Sequence, residues 1–300
     1  MKYLVTWTVL REHKPGYCMP CSFIDMIKNT VAFLNCLLLL ICLASCKHIP
    51  YGDNKQAGKY YNIRGFKMYC ETYGSGKPLL MIHGNGGSIN TFRGNIPYFS
   101  ENYKVIIADS RAQGRSVDTQ DSISFEMMAD DYAALLDSMR IDSAYVIGWS
   151  DGGINALLLA IRHPEKVKKL ASSGANLWPD STAIDPKIWL DEEADYNKFK
   201  DKAGKTAAEL AKRKMYLLDW KQPHISPTDL HKIQCPALIM CGDHDVIRLQ
   251  HTKLIYKNIP KANLWVVSKS GHGTLFEHRR KFNSNIDDFF SKPYQPSNSY

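Results

Sequence analysis

The chain lacks any dense run of lysine and arginine interleaved with aromatics, so its formal net charge of +8 is not the footprint of a nucleic-acid binder. A share of +2 lies before Cys46, where Lys2, Arg11, Lys14 and Lys28 outnumber Glu12 and Asp25; the rest is scattered, as on a mildly basic solvated surface. The eight cysteines do not form a disulfide framework either, because five of them (Cys18, Cys21, Cys36, Cys42, Cys46) crowd into the first 46 residues. Cys18-Met-Pro-Cys21 is half of a metal or redox pattern with no second half. Cys235 and Cys241 lie on or beside one predicted strand, about 20 Å apart if extended, too far to bridge. The Gly-rich loop at 83–87 has no Gly-Lys-Ser/Thr end, which argues against a phosphate cradle there.

What is present supports a single large globular domain: 300 residues, 44% hydrophobic and 23% charged. Ahead of it runs an apolar segment, Thr30 to Leu43, flanked by Lys28 and interrupted only by Asn35. It falls short of the about 20 residues that span a membrane and suits the core of a signal peptide. Its end, Leu43-Ala44-Ser45-Cys46, resembles a bacterial lipobox, in which the leader is cut before a cysteine that then receives lipid. The resemblance implies a leader over 1–45, lipid on Cys46, a polar tether over 46–59 and a place in the bacterial cell envelope, held to a membrane.

The stretch that organises the remainder is Gly148-Trp149-Ser150-Asp151-Gly152-Gly153. A β-rich run (143–147) leads in and an apolar helical run (154–161) leads out. Gly-x-Ser-x-Gly between them is the pattern of a nucleophile elbow, a tight strand-to-helix turn that needs small neighbours and presents a serine hydroxyl. The helix N-terminus directs free N–H groups and a positive dipole end at that point, which suits a developing oxyanion.

Other elements fall in an alternating series. Residues 60–73 read as a hairpin about Arg64-Gly65, and 79–82, 103–108, 167–172, 237–241 and 263–267 as strands. Between them lie a helix capped by Ser124 with the stripe Phe125, Met128, Ala129, Tyr132, Leu135, Leu136 and Met139, a helix near 250–256, and a C-terminal helix near 274–290. That stripe is core, not a cofactor box. From 177 to 229 the alternation lapses into an aromatic segment with Trp178, Trp189, Phe199, Met215, Tyr216 and Trp220. Thr206-x-x-Glu209 is a capping box within it. The series predicts a doubly wound, mostly parallel sheet whose strand C-terminal ends carry the site.

Five segments together resemble the α/β-hydrolase family: His83-Gly84-Asn85-Gly86-Gly87 after one strand, Asp109-Ser-Arg-Ala-Gln-Gly-Arg-Ser116 after the next, the elbow, Cys241-Gly-Asp-His-Asp245 and Ser270-Gly-His-Gly273. The resemblance implies an α/β-hydrolase fold with core over 60–176 and 230–292 and a small helical cap over 177–229. It implies Ser150 as nucleophile, Asp245 as triad acid with Asp243 as runner-up, and His272 as general base. The backbone N–H groups of Asn85 and Asp151 are the implied oxyanion donors, and no metal or organic cofactor is called for. His83 and Asp109 are expected to be structural, and His278 a surface residue on a helix.

Gly148 to Leu157, Gly174-Ala-Asn176 and Cys235 to Ile239 are similar to the valacyclovir-hydrolase, or biphenyl-hydrolase-like, branch. That similarity implies an ester or amide of a small acyl compound as substrate, with Asp151 pairing with an α-amino group. Carbon–carbon bond hydrolysis and an iminopeptidase activity are alternatives on the same triad, and a non-catalytic tethered binding protein is a third class. Because twenty-five residues precede a more usual leader start at Met26, translation is expected to begin there. Peptide mapping of cell-made protein should find a lipid-bearing Cys46 as the first residue; peptides from residues 1–25 would overturn the assigned start.

Overall fold

Strand residues that are apolar at every position, not every second one, decide this architecture, because they demand cover on both faces. The computed structural model describes residues 49–120, 122–200 and 206–296; the leader and Cys46 lie outside them. Strands β1 (Gly58–Ile63) and β2 (Phe66–Tyr73) form the expected hairpin about Arg64-Gly65. Six more follow: β3 (Lys77–Ile82), β4 (Tyr103–Ala108), β5 (Ala144–Trp149), β6 (Val167–Ser173), β7 (Ala237–Gly242) and β8 (Ala262–Val267). Their spatial order is β1-β2-β4-β3-β5-β6-β7-β8, antiparallel at β1–β2 and β2–β4 and parallel elsewhere. On β3, Leu80 and Ile82 join one core layer while Leu79 and Met81 join the other. Each such fully buried side chain stabilises the fold by about 1.5–3 kcal/mol relative to exposure.

Helices cover both faces. On one side pack α1 (Phe125–Ser138) and α2 (Asp151–Arg162). The expected α1 stripe is buried from Phe125 to Leu136, with Ser124 Oγ accepting from the Met127 N–H at 3.1 Å; Met139 closes the helix as its C-cap. Beyond β6 the chain forms the cap helices α3 (Pro186–Phe199) and α4 (Ala207–Lys221), the latter opened by the expected Thr206–Glu209 capping box. Then come α5 (Leu249–Lys257), α6 (Thr274–Glu277) and α7 (Arg279–Ser291). Phe282, Ile286 and Phe290 of α7 sit in the opposite core layer. Among the described residues no helix is long and apolar enough to cross a membrane.

Two expectations need correction. The C-terminal helix is two helices, broken at His278; at the end of the first, the Glu277 carboxylate turns back to accept from the Gly271 N–H and the Ser270 hydroxyl. His278 is therefore not within a helix; its Nε2–H reaches the Lys269 carbonyl at 2.9 Å. The polar stretch assigned to the tether is also partly folded. The Gly52 and Asn54 N–H groups donate to the carboxylate of Glu71, which is fully buried and also accepts from the Tyr69 and Tyr73 hydroxyls. A buried carboxylate needs such partners, and the segment from residue 50 supplies two of them.

The Asp109–Ser116 loop is structural, as expected. Asp109 accepts from the Ile89 and Arg115 N–H groups, and Arg111, 1% exposed, forms a two-bond pair with Asp131 at 2.7 and 2.8 Å. The tightest constraint lies at the elbow. A Cβ on Gly148 would stand 2.0 Å from the Gly152 carbonyl oxygen, and one on Gly152 would stand 2.0 Å from that of Ile82. Those contacts are backbone to backbone and cannot be relieved by a rotamer change. Gly152→Ala should therefore destabilise the fold by about 3 kcal/mol or more. Urea unfolding of the two proteins checks this; a midpoint equal to wild type would refute the packing argument.

Candidate active site

Ser150 follows directly from the contact between β5 and α2. With Gly148 and Gly152 pressed together, the chain can turn only by placing Ser150 at φ 58°, ψ −125°. The Ser150 N–H is held by the Ser173 carbonyl at 2.8 Å, and its own carbonyl accepts from Gly153 and Ile154. The side chain is left to point away from the sheet. A serine in such a sparsely populated backbone region costs about 1–3 kcal/mol, which the surrounding bonds hold in place.

The structure brings together the three side chains expected to work as a unit. His272 Nε2 lies 2.9 Å from Ser150 Oγ, and His272 Nδ1 lies 2.6 Å from Asp245 Oδ1. Asp245, whose side chain is wholly buried, also accepts from the Ile247 N–H at 3.0 Å and the Gly242 N–H at 3.2 Å. A carboxylate so placed fixes the proton on Nδ1 and leaves Nε2 free to accept from the serine. Asp243, the runner-up, points elsewhere: it accepts from the Lys269 and Ser270 N–H groups and ties the two strand-end loops together. Those main-chain bonds, with His244, hold its carboxyl well below the usual range. The His272 loop is anchored by Trp149, whose indole N–H donates to the His272 carbonyl at 2.7 Å. Gly174 at φ 65° leaves room for the imidazole, since a Cβ there would stand 2.7 Å from His272 Cε1.

The Gly-rich loop lies against the same serine. A Cβ on Gly84 would meet Ser150 Cβ at 2.9 Å. His83 is structural, as expected: its Nδ1–H donates to the Gly84 carbonyl and its Nε2 accepts from the Ser110 N–H, while burial pushes its pKa down to about 4 and keeps it neutral. The Asp151 N–H begins α2 and so has no acceptor one turn earlier. Among the described residues neither that N–H nor the Asn85 N–H is spent on another main-chain acceptor. Asn85 and Asp151 are adjacent, with Asn85 Nδ2 donating to Asp151 Oδ2 at 2.9 Å.

The electrostatics add two residues that the sequence did not single out. Asp219 of α4 hydrogen-bonds to Asp151, and Glu192 of α3 lies within electrostatic reach of both Asp219 and His272. Asp151 is 4% exposed, and burial, then the neighbouring Asp219, raise its pKa far above the ordinary carboxylate range; the Asn85 amide opposes this. Two carboxyl groups can hydrogen-bond to each other only by holding a proton between them. Asp219 keeps solvent contact along the cleft, yet the protein around it still raises its pKa by desolvation. Glu192 is pushed up to about 7 by burial and then by Asp219, with His272 acting against the shift. A carboxylate between apolar neighbours on an aromatic cap helix, as in Leu217-Leu218-Asp219-Trp220, was the one available signal for Asp219. Glu192, inside the acidic run 191–195, offered none.

The cap base is fixed to the loop that carries Asp245. Ile184 and Ile247 form an isolated bridge, and the Asp185 N–H donates to the Val246 carbonyl at 2.7 Å. Trp189 and Tyr196 of α3 both stack on Trp220 of α4, at 5.5 and 4.8 Å, and hold the two cap helices together. Trp178 serves elsewhere, edge-on to His251 at 4.6 Å. Among the described residues no group of three or more His, Cys, Asp or Glu side chains could hold a metal ion.

Comparison with known proteins agrees with this architecture. Residues 77–210 match the family model described as alpha/beta hydrolase fold. A 2-hydroxymuconate semialdehyde hydrolase of Pseudomonas sp. (strain CF600) is 26% identical over 272 residues, covering 80% of this chain and 96% of the relative. The human serine hydrolase BPHL is 24% identical over 279 residues, covering 84% and 94%. A thermophilic esterase from Thermogutta terrifontis superposes with a TM-score of 0.67 at 19% identity, covering 79% of this chain and all of the other. With that sheet order and those relatives, the chain is an enzyme with the α/β-hydrolase fold, a hydrolase.

Proposed function

We propose that the enzyme cleaves carboxylic esters or amides of small acyl compounds through an acyl-enzyme on Ser150, and prefers substrates that carry an α-ammonium group. The observation that carries the reading is the chain of short contacts from Ser150 Oγ to His272 to Asp245, at 2.9 and 2.6 Å. In this reading His272 takes the serine proton as Oγ attacks the acyl carbon, and Asp245 stabilises the imidazolium. The N–H groups of Asn85 and Asp151 receive the oxyanion, a contribution of about 3 kcal/mol per donor in serine hydrolases. His272 then returns its proton to the leaving group and activates water to release the acid.

The preference for a cation rests on Asp151, Asp219 and Glu192. An ammonium group entering the cleft would replace the proton shared by Asp151 and Asp219 and gain a charge-assisted bond. Carbon–carbon bond hydrolysis is the second reading, favoured by the relative named as a 2-hydroxymuconate semialdehyde hydrolase. A muconate-type substrate is itself an anion, however, and would meet the negative charge that Glu192 and the Asp151–Asp219 pair carry above about pH 7. The lipobox-like end of the leader supports a place in the bacterial cell envelope, tethered through lipid on Cys46.

A fluorophosphonate should label Ser150 in the wild type and leave Ser150→Ala unlabelled, with ester hydrolysis reduced by about 10⁵-fold. Asp151→Asn should lower kcat/KM for an aminoacyl ester by about 10- to 100-fold and change that for the matching neutral acyl ester less than threefold. Equal losses on both esters, or none, would remove the ammonium preference. Glu192 is neutral below about pH 7 and negative above it. Preference for an acyl ester bearing a permanently charged trimethylammonium group over a neutral isostere should therefore rise by about tenfold from pH 6 to pH 8. Glu192→Gln should flatten that rise, and an equally steep profile in the variant would exclude Glu192 as its source.

A further inference from the structure

Asn85 enters the argument above only through its main chain, yet its side chain has the more unusual position. The single nitrogen Nδ2 donates to Asp151 Oδ2 at 2.9 Å and to the Met215 carbonyl at 3.2 Å. One primary amide, with two hydrogens, thus joins three segments distant in sequence: the Gly-rich loop, the elbow and cap helix α4. The loop needs such a reference point. It carries glycine at 84, 86 and 87, so three of its residues have no side chain with which to grip the core. Its internal bond, from the Gly87 N–H to the Gly84 carbonyl at 3.1 Å, closes the turn without relating it to Ser150. His83 holds the Gly84 carbonyl from behind. Asn85 alone among the loop residues 84–87 can fix the loop from the front.

We propose that the Asn85 side chain is a positioning residue, which sets the oxyanion-binding N–H groups of Asn85 and Asp151 relative to Ser150 by bridging the elbow carboxyl to the main chain of the cap helix at Met215. An oxyanion donor works only when it is aimed in advance at the place where charge develops, and small displacements forfeit much of the effect. The bridge supplies that aim from both sides. Asp151 fixes Asn85 to the helix whose first N–H is the second donor, and Met215 couples the arrangement to the seating of the cap. The geometry also explains why the loop tolerates an exposed Gly86 at φ 60° next to the residue that must be held.

The inference rests on Ser150 being the nucleophile, and not on the ammonium preference, so a neutral acyl ester is the proper substrate for the test. Asn85→Ala and the nearly isosteric Asn85→Asp both keep the main-chain N–H while removing the amide donor. Circular dichroism and the urea midpoint establish that the variants are folded. In each, kcat should fall about 10- to 100-fold, the KM should stay within about threefold, and fluorophosphonate labelling of Ser150 should slow in parallel with kcat. In an Asp151→Ala background the further loss from Asn85→Ala should be smaller than in the wild type, because one partner of the bridge is already absent. Wild-type kcat in Asn85→Asp, a loss confined to KM, or full additivity with Asp151→Ala would each overturn the proposal. Absence of labelling in the wild-type protein would instead overturn the nucleophile assignment, which keeps the two failures apart.

Discussion

The contact between β5 and α2 is the constraint on which the site depends. Gly148 lies so close to the Gly152 carbonyl, and Gly152 to the Ile82 carbonyl, that no side chain fits at either, and Ser150 is driven to φ 58° between them. Three consequences follow from that single approach. The serine hydroxyl is lifted clear of the sheet, the N-terminus of α2 is brought beneath it, and the end of β6 is placed where the Ser173 carbonyl can hold the Ser150 N–H. Strain at Ser150 persists because β3 and β6 on either side of β5 leave the turn no room to relax.

The core and its reactive ends were legible because each important segment directly follows a short apolar strand. Leu79–Ile82, Ala144–Ile147 and Ala237–Cys241 are apolar on both faces, which local sequence states plainly and which only a doubly covered sheet satisfies. In a parallel sheet the loops that follow such strands all fall on one edge, so the strand order alone places them together. The choice of Asp245 over Asp243 was less secure in the sequence, where both follow β7. What separates them is the loop that follows: Asp245 turns inward to the Gly242 and Ile247 N–H groups, while Asp243 faces the Lys269–Ser270 turn. Only the resemblance to the family's Gly-x-x-Asp loop pointed to Asp245; charge and spacing alone do not separate the two.

The cap was legible as helices but not as chemistry. Its capping box and aromatic content are local signals, whereas the face that α3 and α4 turn toward His272 depends on how the Ile184–Ile247 bridge seats their base. Asp219 and Glu192 therefore escaped a reading from periodicity. The break at His278 escaped it for a related reason: the Glu277 carboxylate is engaged by the Gly271 N–H and the Ser270 hydroxyl, contacts outside the helix that a propensity argument does not register. Similarly, a polar stretch after Cys46 looks like a free tether until the buried Glu71 is seen to require the Gly52 and Asn54 N–H groups.

The arrangement separates two demands that usually conflict. The groups in line with Ser150 come from the ends of β5, β7 and β8, which neighbouring strands of one sheet hold together, while the cap base touches only the loop that carries Asp245 among them. The carboxyls that select the substrate in the proposed reading are divided between the elbow (Asp151) and the cap helices (Asp219, Glu192), and their charge depends on how closely the two approach. Bringing Asp219 against Asp151 favours a proton that either group would lose alone in water, so the site is less acidic than its three carboxyl groups suggest. Asn85 stands where these demands meet, its main chain beside Ser150 and its side chain between elbow and cap. On the proposed reading, a change in cap sequence at α4 alters selectivity through Asp219 without disturbing the loop, provided the main-chain carbonyl at Met215 keeps its place.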